Sequence, residues 1–168
     1  MRIAFGANRY GDPLRRRVLD LLRQLEHEII DVLESGHPFV DYPDIAALVA
    51  GQVSRGDAER GILIGGTGLG MCIVANKFPG VRAAPCHDEV TAEVSRRHHD
   101  LNVLCLSASL LGELPIHRII ETWLRTPFDG GRHARRIEKI VRLERRDADD
   151  PPYTAVVALA PAMPVPAG

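Results

Sequence analysis

"GILIGGTGLGMCIVANKFPG", residues 61–80, runs from an apolar strand through a glycine-rich loop into a helix, and its glycine spacing decides what the loop can hold. A dinucleotide fingerprint places its third glycine three residues after the second, where helix and strand pack closely. Counting from Gly66 and Gly68, that place is Met71. A P-loop needs Lys and then Ser or Thr directly after its last glycine, whereas Gly70 is followed by Met71 and Cys72. Neither nucleotide motif is present. What remains is Gly65, Gly66, Thr67, Gly68 and Gly70, whose backbone N–H groups can approach an anion at a helix N-terminus without obstruction. That arrangement suits a phosphate, or an oxyanion that exists only during a reaction.

Outward from this stretch, "RIAFG", "EIIDVL", "GILIG", "VRAAP" and "NVLCLS" read as strands, separated by amphipathic helical patterns. The helices are expected near 13–26, 42–55, 70–77, 89–97, 109–125 and 131–146. Such alternation predicts a three-layer α/β domain over residues 1–147, with a five-stranded parallel sheet flanked by helices. Residues 148–168, rich in Pro and Ala, read as a tail. Ligands of open parallel sheets sit beyond the carboxyl ends of the strands, which directs attention to "GANRYG", "HPFVDYPD", "GGTGLG" and "CHDE".

The 168 residues carry a formal net charge of -1 and make up one ordinary domain. No basic stripe interleaved with aromatics indicates nucleic acid, and no apolar run approaches membrane-spanning length. Three cysteines, Cys72, Cys86 and Cys105, lack metal-ligand or redox-pair spacing and fit a reducing cytoplasm. No metal or organic cofactor is implied. Cys86 and Cys105 read as core or loop filler, and Arg15, Arg16 and Arg17 as a solvated helix face.

"DYP" at 41–43, "GTGLGMCIVANKFPGVRAA" at 66–84, "SRRHHDLNVL" at 95–104 and "FDGGRHARRIEKI" at 128–140 together resemble the type B ribose-5-phosphate isomerases and galactose-6-phosphate isomerase subunits. The resemblance implies a Rossmann-like domain of carbohydrate and pentose phosphate metabolism. It also implies a homodimer or homotetramer with active sites shared between subunits. The implied reaction interconverts an aldose phosphate and a ketose phosphate through an enediolate, whose oxyanion the amides of "GGTGLG" would stabilise. By the same resemblance His98 helps open the sugar ring, and Arg132 and Arg136, one helical turn apart, clamp the phosphate across the subunit interface. Thr67 bonds a sugar oxygen and Tyr42 lines the pocket.

Departures from that pattern are as informative. The family takes its proton-abstracting base from a cysteine at the place of Gly65 or a glutamate at the place of Met71, and this sequence has neither. Asn8 and Arg9 stand where an Asp-His pair serves sugar binding and ring opening. His99 replaces an asparagine, and Ser109 an arginine. Cys72, expected at a helix N-terminus, is a candidate replacement base, its other reading being a half-buried space filler. These changes point to a phosphorylated, or otherwise anionic, small sugar other than ribose 5-phosphate. They also leave open a non-catalytic subunit paired with a paralogous chain, or a sugar-phosphate sensor.

Overall fold

The computed structural model of the chain describes residues 1–33 and 41–145. Its strands are β1 (Arg2–Ala7), β2 (Glu28–Asp31), β3 (Arg60–Gly65), β4 (Ala83–Pro85) and β5 (Val103–Ser107). The helices are α1 (Asp12–Gln24), α2 (Tyr42–Ser54), α3 (Leu69–Ala75), α4 (Glu89–His99), α5 (Glu113–Arg125) and α6 (Arg132–Glu144). All strand pairs are parallel and the sheet order is β2-β1-β3-β5-β4. The expected Rossmann-like α/β architecture is therefore the observed one. The tail at 148–168 and the segment 37–40 of the second loop lie outside the described residues.

Strand periodicity builds the three layers. Successive side chains on a strand point to opposite faces, so Ile3, Phe5, Ile62, Ile64, Leu104 and Leu106 meet α1 and α5 residues such as Val18, Leu22, Ile119 and Trp123 on one side. Ala4, Leu63, Val103 and Cys105 meet Ile45 and Val49 of α2 and Met71 and Ala75 of α3 on the other. Burial of both faces explains why the strands read as near-continuous apolar runs.

Helix ends differ from the expectation for local reasons. The fifth helix begins at Glu113 rather than near 109, because Ser107 Oγ accepts the Leu110 N–H and holds 107–110 as a turn. Strand β4 begins at Ala83, and asparagine side chains take the amides at its start, Asn102 that of Arg82 at 2.7 Å and Asn76 that of Ala83 at 2.9 Å. Arg15 is not simply a solvated residue either. It forms an ion pair with Asp31, whose side chain is only 7% exposed, tying α1 to β2.

Candidate active site

Strand β1 leads to α1 on one face of the sheet, and neighbouring β3 leads to α3 on the other. Their carboxyl ends part at a topological switch point, the place where open α/β sheets bind ligands. A cavity of about 440 Å³ opens there. Asn8 and Tyr10 line it from the loop after β1, Tyr42 from the start of α2, and Ser109 from beyond β5. Its floor is Gly65, Gly66, Thr67, Gly68, Gly70 and Met71.

Two of the glycines are required by geometry. Gly68 has φ +75°, and a Cβ there would lie 3.1 Å from the Leu106 carbonyl oxygen. Gly70 lies against the Tyr42 ring, with its hypothetical Cβ 2.5 Å from Cε2. The Gly65 carbonyl accepts from the Ala108 amide, and that of Gly66 from the Ser109 amide and Ser107 Oγ, which binds the loop to the end of β5. The amides of Gly66, Thr67 and Gly68 meet no acceptor among the described residues, which leaves them available to a ligand oxygen. Thr67 is exposed, and its Oγ1 accepts from the Leu69 amide at 3.4 Å.

Asn8 is committed locally. Its Oδ1 accepts from the amides of Tyr10 and Gly11 at 3.1 and 3.3 Å, an Asx turn that aims the loop. Arg9 is exposed, donates to the Tyr10 hydroxyl at 2.9 Å, and sits 4.9 Å over the Tyr10 ring. It reaches the cavity only through Tyr10. Met71 is buried beneath Gly65, its Sδ 3.1 Å from where a Gly65 Cβ would be.

Cys72 is placed elsewhere. Its Sγ donates to the Ala83 carbonyl at 3.4 Å on the sheet side of α3, and it does not line the glycine-loop cavity. Helix phase decides this: Met71 and Cys72 differ by about 100° around the axis, and it is Met71 that lies below Gly65.

The remaining predicted residues gather at the end of α4, where α6 packs. His98 stacks on His133 with ring centroids 4.3 Å apart and planes 6° apart. Arg132 Nε donates to His133 Nε2 at 3.4 Å. Burial, followed by the charges of His98, Arg132 and Arg136, holds the His133 imidazole below its ordinary range, consistent with a neutral ring accepting that bond. Arg97 grips both oxygens of Asp129 at 3.2 Å beside them. His99 turns away, its ring edge-on to His98 at 6.2 Å, and lines a separate groove with Arg82 and Leu143. None of these residues lines the glycine-loop cavity of its own chain. The sequence offered no metal-ligand spacing, yet the fold gathers His98, Asp129 and His133 with ligand atoms within 4.8 Å of one another. Parallel imidazoles direct their in-plane lone pairs along parallel lines rather than to one ion.

Three neighbours were not expected from the sequence: His133, stacked on His98, Asp129, held by Arg97, and Tyr10, which lines the cavity. The first two stood inside "FDGGRHARRIEKI", but nothing in the spacing distinguished His133 from the arginines around it. No helix among the described residues is long and apolar enough to cross a membrane.

Comparisons with known proteins give the family. The family model for Ribose/Galactose Isomerase matches residues 3–140. Ribose-5-phosphate isomerase B of Escherichia coli is 39% identical, over 86% of this chain and 97% of its own. A D-erythrulose-4-phosphate isomerase of Pectobacterium atrosepticum is 38% identical, over 86% and 96%. The solved structure of Clostridium thermocellum ribose-5-phosphate isomerase B superposes with a TM-score of 0.82 at 43% identity, covering 86% of this chain and 98% of that one. The chain therefore belongs to the ribose/galactose isomerase family of sugar-phosphate isomerases and is an enzyme of the aldose–ketose isomerase class.

Proposed function

We propose that the chain isomerises a short, open-chain aldose phosphate to its ketose through an enediolate, with a tetrose 4-phosphate as preferred substrate and ribose 5-phosphate a poor one. The observation that carries this reading is the cavity: oxyanion donors are available at Gly66, Thr67 and Gly68, while Gly65 and Asn8 in its lining, and Arg9 beside it, occupy the places of a base and a ring-opening pair.

Loop amides would stabilise the charge that develops on the substrate oxygen once the adjacent C–H proton leaves. Asn8 carries an amide that cannot exchange a proton, and Arg9 remains a cation. A furanose needs such exchange to open. A tetrose esterified at C4 has no free hydroxyl with which to close a five-membered ring, so its isomerisation needs no opening step. The Pectobacterium relative, named for a four-carbon substrate, supports the same choice.

His98, Arg132 and Arg136 lie outside the cavity of their own chain, which supports a site completed by a second copy. In that arrangement the arginines hold the phosphate and His98, relieved of ring opening, moves the proton between C1 and C2.

Initial rates on D-erythrose 4-phosphate and D-ribose 5-phosphate test the proposal. The expected kcat/KM favours the tetrose by about a hundredfold, the lower range for one well-placed acid–base group. Equal rates, or a preference for ribose 5-phosphate, would refute it.

A further inference from the structure

The thiol that looked like a catalytic candidate has a different neighbourhood. Helix α3 packs on β4 and β5. Cys72 Sγ donates to the carbonyl of Ala83, the first residue of β4. In the parallel pairing of β4 with β5, Ala83 lies opposite Val103 and Pro85 opposite Cys105. Cys72 thus reaches the sheet at β4, the strand beside the one that carries Cys105. Cys105 is fully buried in the apolar cluster against which Cys72 packs, and the two thiols hydrogen-bond each other.

Cys86 is a built-in contrast. Its backbone amide donates to the Cys105 carbonyl at 3.2 Å, but its side chain belongs to the cluster on the opposite face of the sheet, where it bonds Ser95 and Thr91. The fold therefore separates three cysteines into a pair and a single.

We infer that Cys72 and Cys105 form a dithiol modification site that takes two-electron oxidants of the peroxide class and closes to a disulfide between α3 and β5. Cys72 is the attacking member. It is partly exposed, and Asn76 Nδ2 lies 3.5 Å from its sulfur as a donor. Bonds from Cys105 and Asn76 bring its thiol down to about 7 against the opposing effect of burial, so a thiolate is present near neutral pH. Cys105 is pushed the other way by its bond to Cys72 and by burial, and serves as the resolving thiol.

The chemistry balances in two steps. Cys72 thiolate attacks one peroxide oxygen, breaking the O–O bond to give a sulfenic acid and releasing hydroxide, which takes a proton to become water. Cys105 sulfur then attacks the sulfenic sulfur. The S–O bond breaks, the Cys105 proton leaves with the oxygen as a second water, and the S–S bond forms. Two thiols lose two electrons and two protons, and one hydrogen peroxide becomes two waters. Because α3 follows directly from the glycine loop, the bond would tie the floor of the cavity to the central strand.

Peptide mapping of the wild-type full chain tests this without any variant. The protein is treated with hydrogen peroxide, remaining thiols are alkylated, and trypsin is added. Trypsin places Cys72 in 61–77, Cys86 in 83–96 and Cys105 in 98–118, three separate peptides. The expected product joins 61–77 to 98–118 with the loss of two hydrogens, and dithiothreitol returns both peptides to alkylatable form. Cys86→Ser should retain the link and Cys72→Ser should abolish it. A link from 61–77 to 83–96 would overturn the inference. So would Cys72 found oxidised to sulfinic acid with Cys105 still alkylated.

Discussion

His98 and His133 lie face to face, rings 4.3 Å apart and within 6° of parallel, with His133 buried and His98 half-buried. Burial first, and the charge of the stacked His98 next, lower the His133 pKa, so His133 serves as the neutral packing support of His98.

A pH dependence follows. His133 and His27 both have depressed folded-state pKa values, in each case first through burial. The unfolded chain then binds protons more readily just below the ordinary histidine value of about 6.5. Stability is unaffected by these groups above that pH, falls as pH drops through it, and levels off once the folded-state values are passed. Thermal midpoints measured from pH 7.5 to 5 should decline, and His27→Gln with His133→Gln should flatten the decline. A wild-type profile that rises on acidification in this window would contradict the assignment.

Arg132 and Arg136 sit one turn apart at the start of α6. If they clamp a phosphate at a closed interface, replacing either with Ala should weaken binding of phosphorylated ligands by about 2 kcal/mol or more. Calorimetric titration with a tetronate 4-phosphate checks this. Unchanged affinity removes the clamp.

Restoring the residues that the wider family uses should restore its wider chemistry. Gly65→Cys needs Met71 to yield slightly, since the new Cβ lies 3.1 Å from a flexible thioether sulfur. Asn8→Asp keeps the acceptor that holds the Tyr10 and Gly11 amides. Together with Arg9→His, these changes should raise kcat/KM for ribose 5-phosphate by about a hundredfold, and Gly65→Cys alone by less. A triple variant that folds, retains tetrose turnover and gains nothing on ribose 5-phosphate would argue against the assigned roles.

Sharing of the site between subunits can be read by mixing. His98→Ala damages one half of a composite site, and Gly70→Val damages the other by displacing Tyr42. Random pairing gives hybrid dimers with one intact site each, so mixed inactive variants should recover about a quarter of wild-type activity. Activity that stays at the level of the separate variants would place each site within one chain.

The layers were legible because both faces of the sheet are buried, which writes strands as apolar runs and helices as amphipathic ones. The glycine loop was legible as a tight strand-to-helix turn because Gly68 and Gly70 answer to local geometry. Other parts of the site depend on relations that spacing does not encode. The direction of Cys72 is fixed by the phase of α3 on the sheet, and the partnership of His98 with His133 by the packing of α6 on α4. Arg15 likewise became a structural ion pair only because α1 lies beside β2.

In the proposed reaction the loop amides stabilise an enediolate formed from a short aldose phosphate. Incubation of wild-type protein with D-erythrose 4-phosphate in heavy water, followed by proton and deuterium NMR, examines that step directly. Deuterium is expected at C2 of recovered aldose and at C1 of the ketose, at least about a hundredfold faster than with D-ribose 5-phosphate. Isomerisation without any solvent deuterium entering either carbon, or no exchange in either sugar, would contradict it.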